Sequence, residues 1–315
     1  MQANTRKPVF IVGCPRSGTT LLQQMLDAHP DIAIAPETHF MQLFWGRRDQ
    51  YGNLAEDGNY RRLLENIIAL PEFLEMELDA QEFSQSAWTI PRSYAAIFSL
   101  LLEQFASKRQ VNVIGEKTPN HVLYIPKIQA FFPEARFIHL VRDPRAVVNS
   151  WRSVPWSSGS VVKDAEHWRF HISAAWRQPP QGTNKIFTVH YEQLVLSPEA
   201  HLRSLCTFMD LAFDPAMLDY HKKETKLVNV QREPWKGAAV KPVNQQSLTK
   251  WQRDLSPEEI AAIEGITWFE MNRLGYTAQT PVAKLFPLST MIATKRKFEH
   301  LARSARSKMK KLVKS

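Results

Sequence analysis

Short apolar runs, most of them followed by turn residues and then a helical pattern, recur along the first two thirds of the chain. Four of them are rich in β-branched and aromatic residues, which is typical of strands buried on both faces of a parallel sheet. They occupy residues 9–12, 112–115, 136–141 and 186–191, and a weaker fifth run occupies residues 31–35. Because strands and helices alternate, the sequence predicts an α/β fold of three layers, with a central parallel sheet and helices on both faces.

Helical patterns account for much of the remaining chain. Apolar residues between Leu21 and Leu26 recur at helical spacing, and Pro30 ends the pattern. Residues 45–110 carry further helical patterns with few strand signals, and they are too long for a loop, so we predict a helical insert there. No repeat or low-complexity linker divides the chain. We therefore predict one domain over residues 1–280 and a tail over residues 281–315.

The composition is that of an ordinary soluble globular protein, with 44% hydrophobic and 23% charged residues among 315. No apolar run reaches the length of about 18 residues that would indicate a membrane-spanning helix. The apolar stretch near the N-terminus is too short for a signal peptide. The two cysteines, Cys14 and Cys206, lie far apart, which argues against a disulfide framework. We therefore expect a soluble, cytoplasmic protein.

The net charge of +9 is concentrated at the C-terminal end. From Lys284 onward the chain carries ten lysines and arginines and a single acid, Glu299, whereas the remainder is close to neutral. This basic tail could contact an anionic membrane face, another polyanion or an acidic partner, or it could be a solvated terminus. The histidines and cysteines form no Cys/His cluster, so no metal site is predicted.

The segment from Gly13 to Thr20 fits the Walker A pattern except that Thr19 stands where the lysine belongs. A glycine-containing turn between a strand and a helix cradles phosphate, because the first N–H groups of the helix point at the anion. Arg16 adds a forked cation, and the loop is completed by Ser17, Gly18, Thr19 and Thr20. A kinase needs the lysine and Mg²⁺ for its triphosphate. The loop therefore predicts a P-loop-type fold and favours a less charged ligand, such as a phosphosulfate.

This loop and the helix after it resemble the phosphosulfate loop of sulfotransferases that use 3′-phosphoadenosine 5′-phosphosulfate (PAPS). In that family a strand, an arginine and a serine eight residues later hold the 3′-phosphate of the donor. Arg142 and Ser150 have this spacing. An arginine at the C-terminal end of a buried strand would present two donors to the phosphate. Arg145 could serve the same site or could pair with Asp143.

Two later segments narrow the resemblance to the protein-tyrosine sulfotransferases. In those enzymes a tyrosine after a strand contacts the nucleotide, and a loop and a lysine close over it. The resemblance transfers these roles to Tyr191, Lys250 and the loop residues Val240, Lys241, Pro242, Val243 and Asn244. The likeness runs in order from Val9 to about Tyr276 and is poorest between residues 47 and 110.

The same resemblance implies a set of catalytic residues. Glu37 occupies the place of the family's general base, two residues after the weak strand, and His39 is a rival for that role. Lys117 and Arg16 occupy the places of residues that stabilise charge on the transferring group and on the departing phosphate. Because Glu37 and Lys117 follow strands, we expect them at the same edge of the sheet as the phosphate loop that holds Arg16.

The resemblance therefore implies an enzyme that transfers the sulfuryl group of PAPS to a hydroxyl acceptor without a metal. The acceptor, which could be a peptide tyrosine, a sugar or a small molecule, stays open, and the helical insert is expected to select it. The sequence departs from the family pattern at one position. Trp235, with Lys236 beside it, occupies the place of a serine that helps to stabilise the transition state in the family. Two alternatives are an ATP-dependent P-loop small-molecule kinase and a non-catalytic nucleotide or polyanion binder. A homodimer is compatible with these readings, and no nucleic acid partner is expected.

Overall fold

The computed structural model describes residues 7–177, 179, 181–182, 185–223 and 228–285. The chain divides into two compact units, the first made of Met1–Arg142 and Phe170–Leu248, the second of Asp143–Arg169 and Thr249–Ser315. From residue 286 onward, the predicted basic tail lies outside the described residues.

Five parallel strands form the sheet of the first unit, which confirms the predicted α/β class. In spatial order they are β2 (Ile32–Ala35), β3 (Val113–Lys117), β1 (Val9–Gly13), β4 (Arg136–Val141) and β5 (Ile186–His190). Five predicted strand bounds differ from the structure by one or two residues, and two of these affect site residues. β3 continues to Lys117, because its backbone stays paired with Ile11 of β1, and β5 ends before Tyr191, which begins a helix.

Helices supply most of the remaining structure. They are α1 (Thr19–Asp27), α2 (Phe40–Leu43), α3 (Arg48–Tyr51), α4 (Asp57–Ile68), α5 (Pro71–Glu75), α6 (Ala80–Ala87), α7 (Tyr94–Arg109), α8 (Ile125–Phe131), α9 (Pro144–Trp151), α10 (Val161–Arg177), α11 (Tyr191–Leu196), α12 (Pro198–Phe208), α13 (Gln246–Asp254) and α14 (Pro257–Arg273). Short 3₁₀ helices occupy Trp45–Arg47, Pro119–Tyr124, Pro215–Met217, Tyr220–Lys222 and Pro234–Val240. Residues 45–110, the predicted helical insert, contain α3 to α7 and no strand.

Alternation along the strands divides the core of the first unit into two layers, one on each face of the sheet. Phe10 of β1 belongs to one buried cluster, which includes Phe98 of α7 and other residues of the insert. Its neighbour Ile11 belongs to the other cluster, which includes Leu22 of α1 and Leu194 of α11. Helices therefore cover both faces, as the three-layer prediction requires.

The second unit contains a buried ion cluster around Arg145. Its guanidinium donates to Asp143 at 2.6 Å and to Glu264 of α14 at 2.6 Å, and it lies 4.1 Å from the ring centroid of Trp251. Glu264 also accepts the backbone N–H groups of Gln279 and Thr280, each at 2.8 Å. Arg145 therefore pairs with Asp143, which answers the question that the sequence left open.

Replacing Arg145 with methionine is expected to lower the free energy of unfolding by about 3–5 kcal/mol, because two carboxylates would stay buried without their cation. The measurement is urea denaturation. Arg152→Met is the matched control, since Arg152 is 40% exposed and pairs with Glu259 near the surface, where the loss is at most about 1 kcal/mol. Equal effects of the two substitutions would contradict this account of the cluster.

Candidate active site

The loop between β1 and α1 has the shape of an anion cradle. Gly18 has φ 101°, a backbone conformation that favours glycine, and a Cβ atom there would lie 2.3 Å from the ring of Tyr191. The loop thus needs glycine both for its turn and for this close approach. α1 then begins at Thr19, and no side chain caps it. Its first N–H groups can therefore donate to an anion bound in the loop. The hydroxyl of Ser17 is buried and has no hydrogen-bond partner among the described residues.

Arg142, at the end of β4, lies at the same edge of the sheet. One of its Nη atoms donates to the carbonyl of Arg16 at 3.2 Å and the other to the carbonyl of Ser247 at 2.7 Å. Its guanidinium stacks on Tyr191, 4.2 Å from the ring centroid, and the Tyr191 hydroxyl lies 2.9 Å from that of Ser247. Three predicted donor-binding residues, Arg16, Arg142 and Tyr191, therefore form one cluster.

This cluster fits an anionic ligand. Burial, followed by the nearby charge of Arg142, lowers the pKa of Arg16 to about 10. The two guanidinium groups are thus near enough to repel each other, at a loop that also holds the buried hydroxyl of Ser17. A phosphate or sulfate between them would relieve the repulsion and supply acceptors for these donors.

Glu37 lies beyond the end of β2 and contacts two lysines. Its Oε1 atom is 2.5 Å from Nζ of Lys117 and 2.9 Å from Nζ of Lys236, and its Oε2 atom is 3.8 Å from Nε2 of His39. Burial alone would raise the pKa of Glu37, but the charges of Lys117, Lys236 and His39 outweigh it and hold the pKa well below its usual range. The carboxylate is therefore ionised.

Lys117 is the last residue of β3 and is buried at 1% exposure. Its Nζ atom lies between Glu37 and the phosphate loop, where the hydroxyl of Thr20 is 3.5 Å away. Burial lowers the pKa of Lys117 to about 8, although the charge of Glu37 opposes this shift. Lys117 is thus a cation that both the carboxylate and a ligand of the loop can reach.

Lys236 is a site residue to which the sequence analysis gave no role. It lies in the 3₁₀ helix Pro234–Val240, is 9% exposed and also contacts Glu233 at 2.7 Å. The preceding carbonyl, of Trp235, accepts a hydrogen bond from Arg16 at 2.8 Å. The sequence did offer one signal for Lys236: it lies beside Trp235, which stands at the position where the resemblance leads us to expect a serine.

A second missed feature is a buried network that holds the Glu37 loop. Glu116 accepts hydrogen bonds from the backbone N–H and the hydroxyl of Thr38, at 3.1 and 3.0 Å, and from the hydroxyl of Thr118. Its other oxygen is 2.9 Å from Nδ1 of His121, whose Nε2 accepts the N–H of Met41 at 3.3 Å. Glu116 therefore fixes the backbone on the C-terminal side of Glu37.

The remaining predicted residues are placed as follows. The predicted loop comprises Val240, Lys241, Pro242, Val243 and Asn244. The carbonyl of Lys241 accepts a hydrogen bond from the hydroxyl of Tyr220 at 2.5 Å, and Asn244 accepts one from the N–H of Gln246 at 2.8 Å. Val243 packs against the buried cluster that includes Leu22 of α1. Two predicted residues belong to the second unit. Ser150 lies on α9, and Lys250 lies on α13, 63% exposed and 3.9 Å from Asp254.

No group of three histidine, cysteine or acidic side chains in the described ranges is placed to hold a metal ion. No helix among the described residues has both the length and the apolar composition to cross a membrane.

Comparisons with known proteins agree with this geometry. A model described as the sulfotransferase family matches residues 8–215. The chain is similar to protein-tyrosine sulfotransferase 1 of Danio rerio, with 29% identity over 85% of this chain and 72% of that one. It is also similar to a putative protein-tyrosine sulfotransferase of Caenorhabditis briggsae, with 26% identity over 88% and 91% of the two chains.

Solved structures share the fold. The sulfotransferase domain of the Synechococcus PCC 7002 olefin synthase covers 89% of this chain over 98% of its own length, with a TM-score of 0.60 and 23% identity. The sulfotransferase domain from the curacin biosynthetic pathway covers 86% of this chain over 98% of its own length, with a TM-score of 0.62 and 20% identity. Because the family model spans more than half of the sequence, the chain belongs to the sulfotransferase family and is an enzyme that transfers a sulfuryl group to a hydroxyl acceptor.

Proposed function

We propose that this sulfotransferase uses PAPS as its donor and the phenolic hydroxyl of a polypeptide tyrosine as its acceptor. The observation that carries the proposal is the position of Glu37, an ionised carboxylate beside Lys117 and the phosphate loop. Its support is the similarity to protein-tyrosine sulfotransferases over 85% of the chain. Sugars and small molecules are the alternative acceptors.

The residues of the first unit fit the donor. Bound PAPS supplies the sulfuryl group and leaves as 3′,5′-diphosphoadenosine. The first N–H groups of α1, the Ser17 hydroxyl and Arg16 would hold the 5′-phosphosulfate, while Arg142 and Tyr191 would hold the rest of the nucleotide. Ser150 and Lys250 stay predicted donor contacts on the strength of the resemblance alone.

Glu37 is proposed as the general base. It would accept the proton of the acceptor hydroxyl as the new bond to sulfur forms. Lys117 would leave Glu37 for the transferring group and follow the charge that grows on the departing phosphate, as a point cation on a flexible stem can. Withdrawal of Lys117 would also make Glu37 a stronger base, since one of its two close cations would be lost.

The contacts of Asp143 weigh against the kinase alternative. A kinase would need an acid after a strand to hold Mg²⁺. Asp143 follows β4, but its carboxylate accepts two nitrogens of Arg145, at 2.9 and 2.6 Å, and a backbone N–H at 2.8 Å. It is therefore committed to the ion cluster of the second unit.

Three wider expectations stay proposals: a cytoplasmic location, a homodimer and contact of the basic tail with an anionic membrane. The low cysteine count supports the first, and the charge of the segment from Lys284 onward supports the third.

Incubation with PAPS labelled in its sulfuryl group is expected to label a peptide that contains one tyrosine, and not the same peptide with phenylalanine in its place. The measurement is the label recovered on each peptide, beside a panel of sugars and small phenols. Label on a sugar or a small molecule alone would overturn the peptide acceptor. Transfer from ATP would overturn the donor.

Glu37→Gln is expected to lower the turnover rate by about 10²–10⁴, because the acceptor proton loses its base. Thermal stabilisation by 3′,5′-diphosphoadenosine should persist, which separates lost chemistry from lost folding. His39→Gln tests the rival base and should lower the rate by less than about tenfold. A reversed order of these two effects would assign the base to His39.

The value of kcat/KM for the donor is expected to fall as the pH rises through about 8, because Lys117 then loses the proton that makes it a cation. This parameter reports the free enzyme. Lys117→Arg, which stays charged, should move the fall towards the pKa of Arg16 at about 10, even if the absolute value is lower. An unchanged fall near pH 8 would assign the titration to another group.

A further inference from the structure

We propose that Lys236 is a positioning residue of the transfer reaction, which keeps Glu37 ionised and in place when Lys117 turns to the donor. The proposal rests on the proposed role of Glu37 as the base. It gives a role to a lysine that stands beside the position where the protein-tyrosine sulfotransferases resembled by the sequence carry a serine.

The two lysines contact the same carboxylate oxygen but have different second contacts. Lys117, 2.5 Å from Oε1 of Glu37, faces the phosphate loop, with Thr20 at 3.5 Å. Lys236, 2.9 Å from the same oxygen, also contacts Glu233 at 2.7 Å. A donor anion in the loop would therefore attract Lys117 away from Glu37, whereas Glu233 would keep Lys236 where it is.

The charges around Glu37 show what the loss of both lysines would do. The groups that face it are Lys117 from β3, Lys236 from the 3₁₀ helix, His39 from its own loop, and Arg16, farther away, from the phosphate loop. With Lys117 on the donor, Lys236 is the nearest lysine left. Without Lys236, the largely buried carboxylate of Glu37 would lie near the anionic donor. Burial and the negative charge of the donor both favour the protonated form of Glu37. A protonated Glu37 could not accept the proton of the acceptor.

The same segment also contacts the phosphate loop, which gives Lys236 a second consequence. The carbonyl of Trp235 accepts the hydrogen bond of Arg16 at 2.8 Å, and the next residue, Lys236, contacts Glu37 at 2.9 Å. One short 3₁₀ helix, Pro234–Val240, thus connects the proposed base with the cation of the loop. A neutral residue at position 236 would retain the hydrogen bond between Arg16 and the carbonyl of Trp235, but it would lose the ion pair with Glu37.

The test measures proton uptake when 3′,5′-diphosphoadenosine binds at pH 6, by titration calorimetry in two buffers with different enthalpies of ionisation. Lys236→Met is expected to take up about one more proton per bound nucleotide than the unmodified chain, because its Glu37 titrates once Lys117 is engaged. Lys236→Arg, which retains the charge, should match the unmodified chain. Lys222→Met is the control for loss of a lysine charge, since Lys222 is 68% exposed and pairs with Asp219.

The extra proton must belong to Glu37, so Glu37→Gln combined with Lys236→Met should abolish it. Equal uptake by Lys236→Met and the unmodified chain would overturn the proposal, as would extra uptake that survives in the double variant. Lys236→Gln is the second neutral variant should Lys236→Met fail to fold. Absence of nucleotide binding to the unmodified chain would overturn both this inference and the donor assignment.

This readout needs no acceptor, so the two proposals can fail separately. If Glu37→Gln retains its transfer rate, Glu37 is not the base and the proposed function fails. If Glu37→Gln lowers the transfer rate but Lys236→Met takes up no extra proton, Glu37 is still supported as the base and only the role of Lys236 is overturned.

Discussion

The rest of the site depends on a carboxylate held between two buried lysines. Glu37 alone would be costly to bury in its charged form, and burial holds the pKa of Lys117 at about 8 even with Glu37 beside it. Together with Lys236 they form a cluster in which the carboxylate offsets the burial of both lysines and the lysines offset the burial of the carboxylate. The site therefore holds an ionised carboxylate against a lysine that also lies close to the phosphate loop.

The sheet explains why these groups meet. Glu37, Lys117 and Arg142 are far apart in sequence, but they occupy or follow the carboxyl ends of β2, β3 and β4, which share one edge because the strands are parallel. The phosphate loop follows β1, in the middle of that order. The parallel arrangement of the strands thus brings these groups to one edge of the sheet.

Much of this could be predicted from the sequence, because strands buried on both faces leave continuous apolar runs and a phosphate loop has a fixed spacing. The positions of Arg16, Glu37, Lys117, Arg142 and Tyr191 followed from these patterns and from the family resemblance. The position of Lys236 did not, because it lies in a short 3₁₀ helix about 200 residues after its partner, and no periodicity links the two. Glu116 was missed for another reason: within a strand, a buried acid looks like a surface acid until its partners are known.

The contact between Gly18 and Tyr191 has a consequence for how such a chain can evolve. The tyrosine ring occupies the volume that any side chain at position 18 would need, and the same ring carries the guanidinium of Arg142. A larger residue at position 18 would be admitted only after the aromatic ring was lost, and that loss would remove the stacking surface of the arginine. The three positions should therefore be inherited as a set, and a lineage that changes one of them would be expected to have found another way of holding its nucleotide.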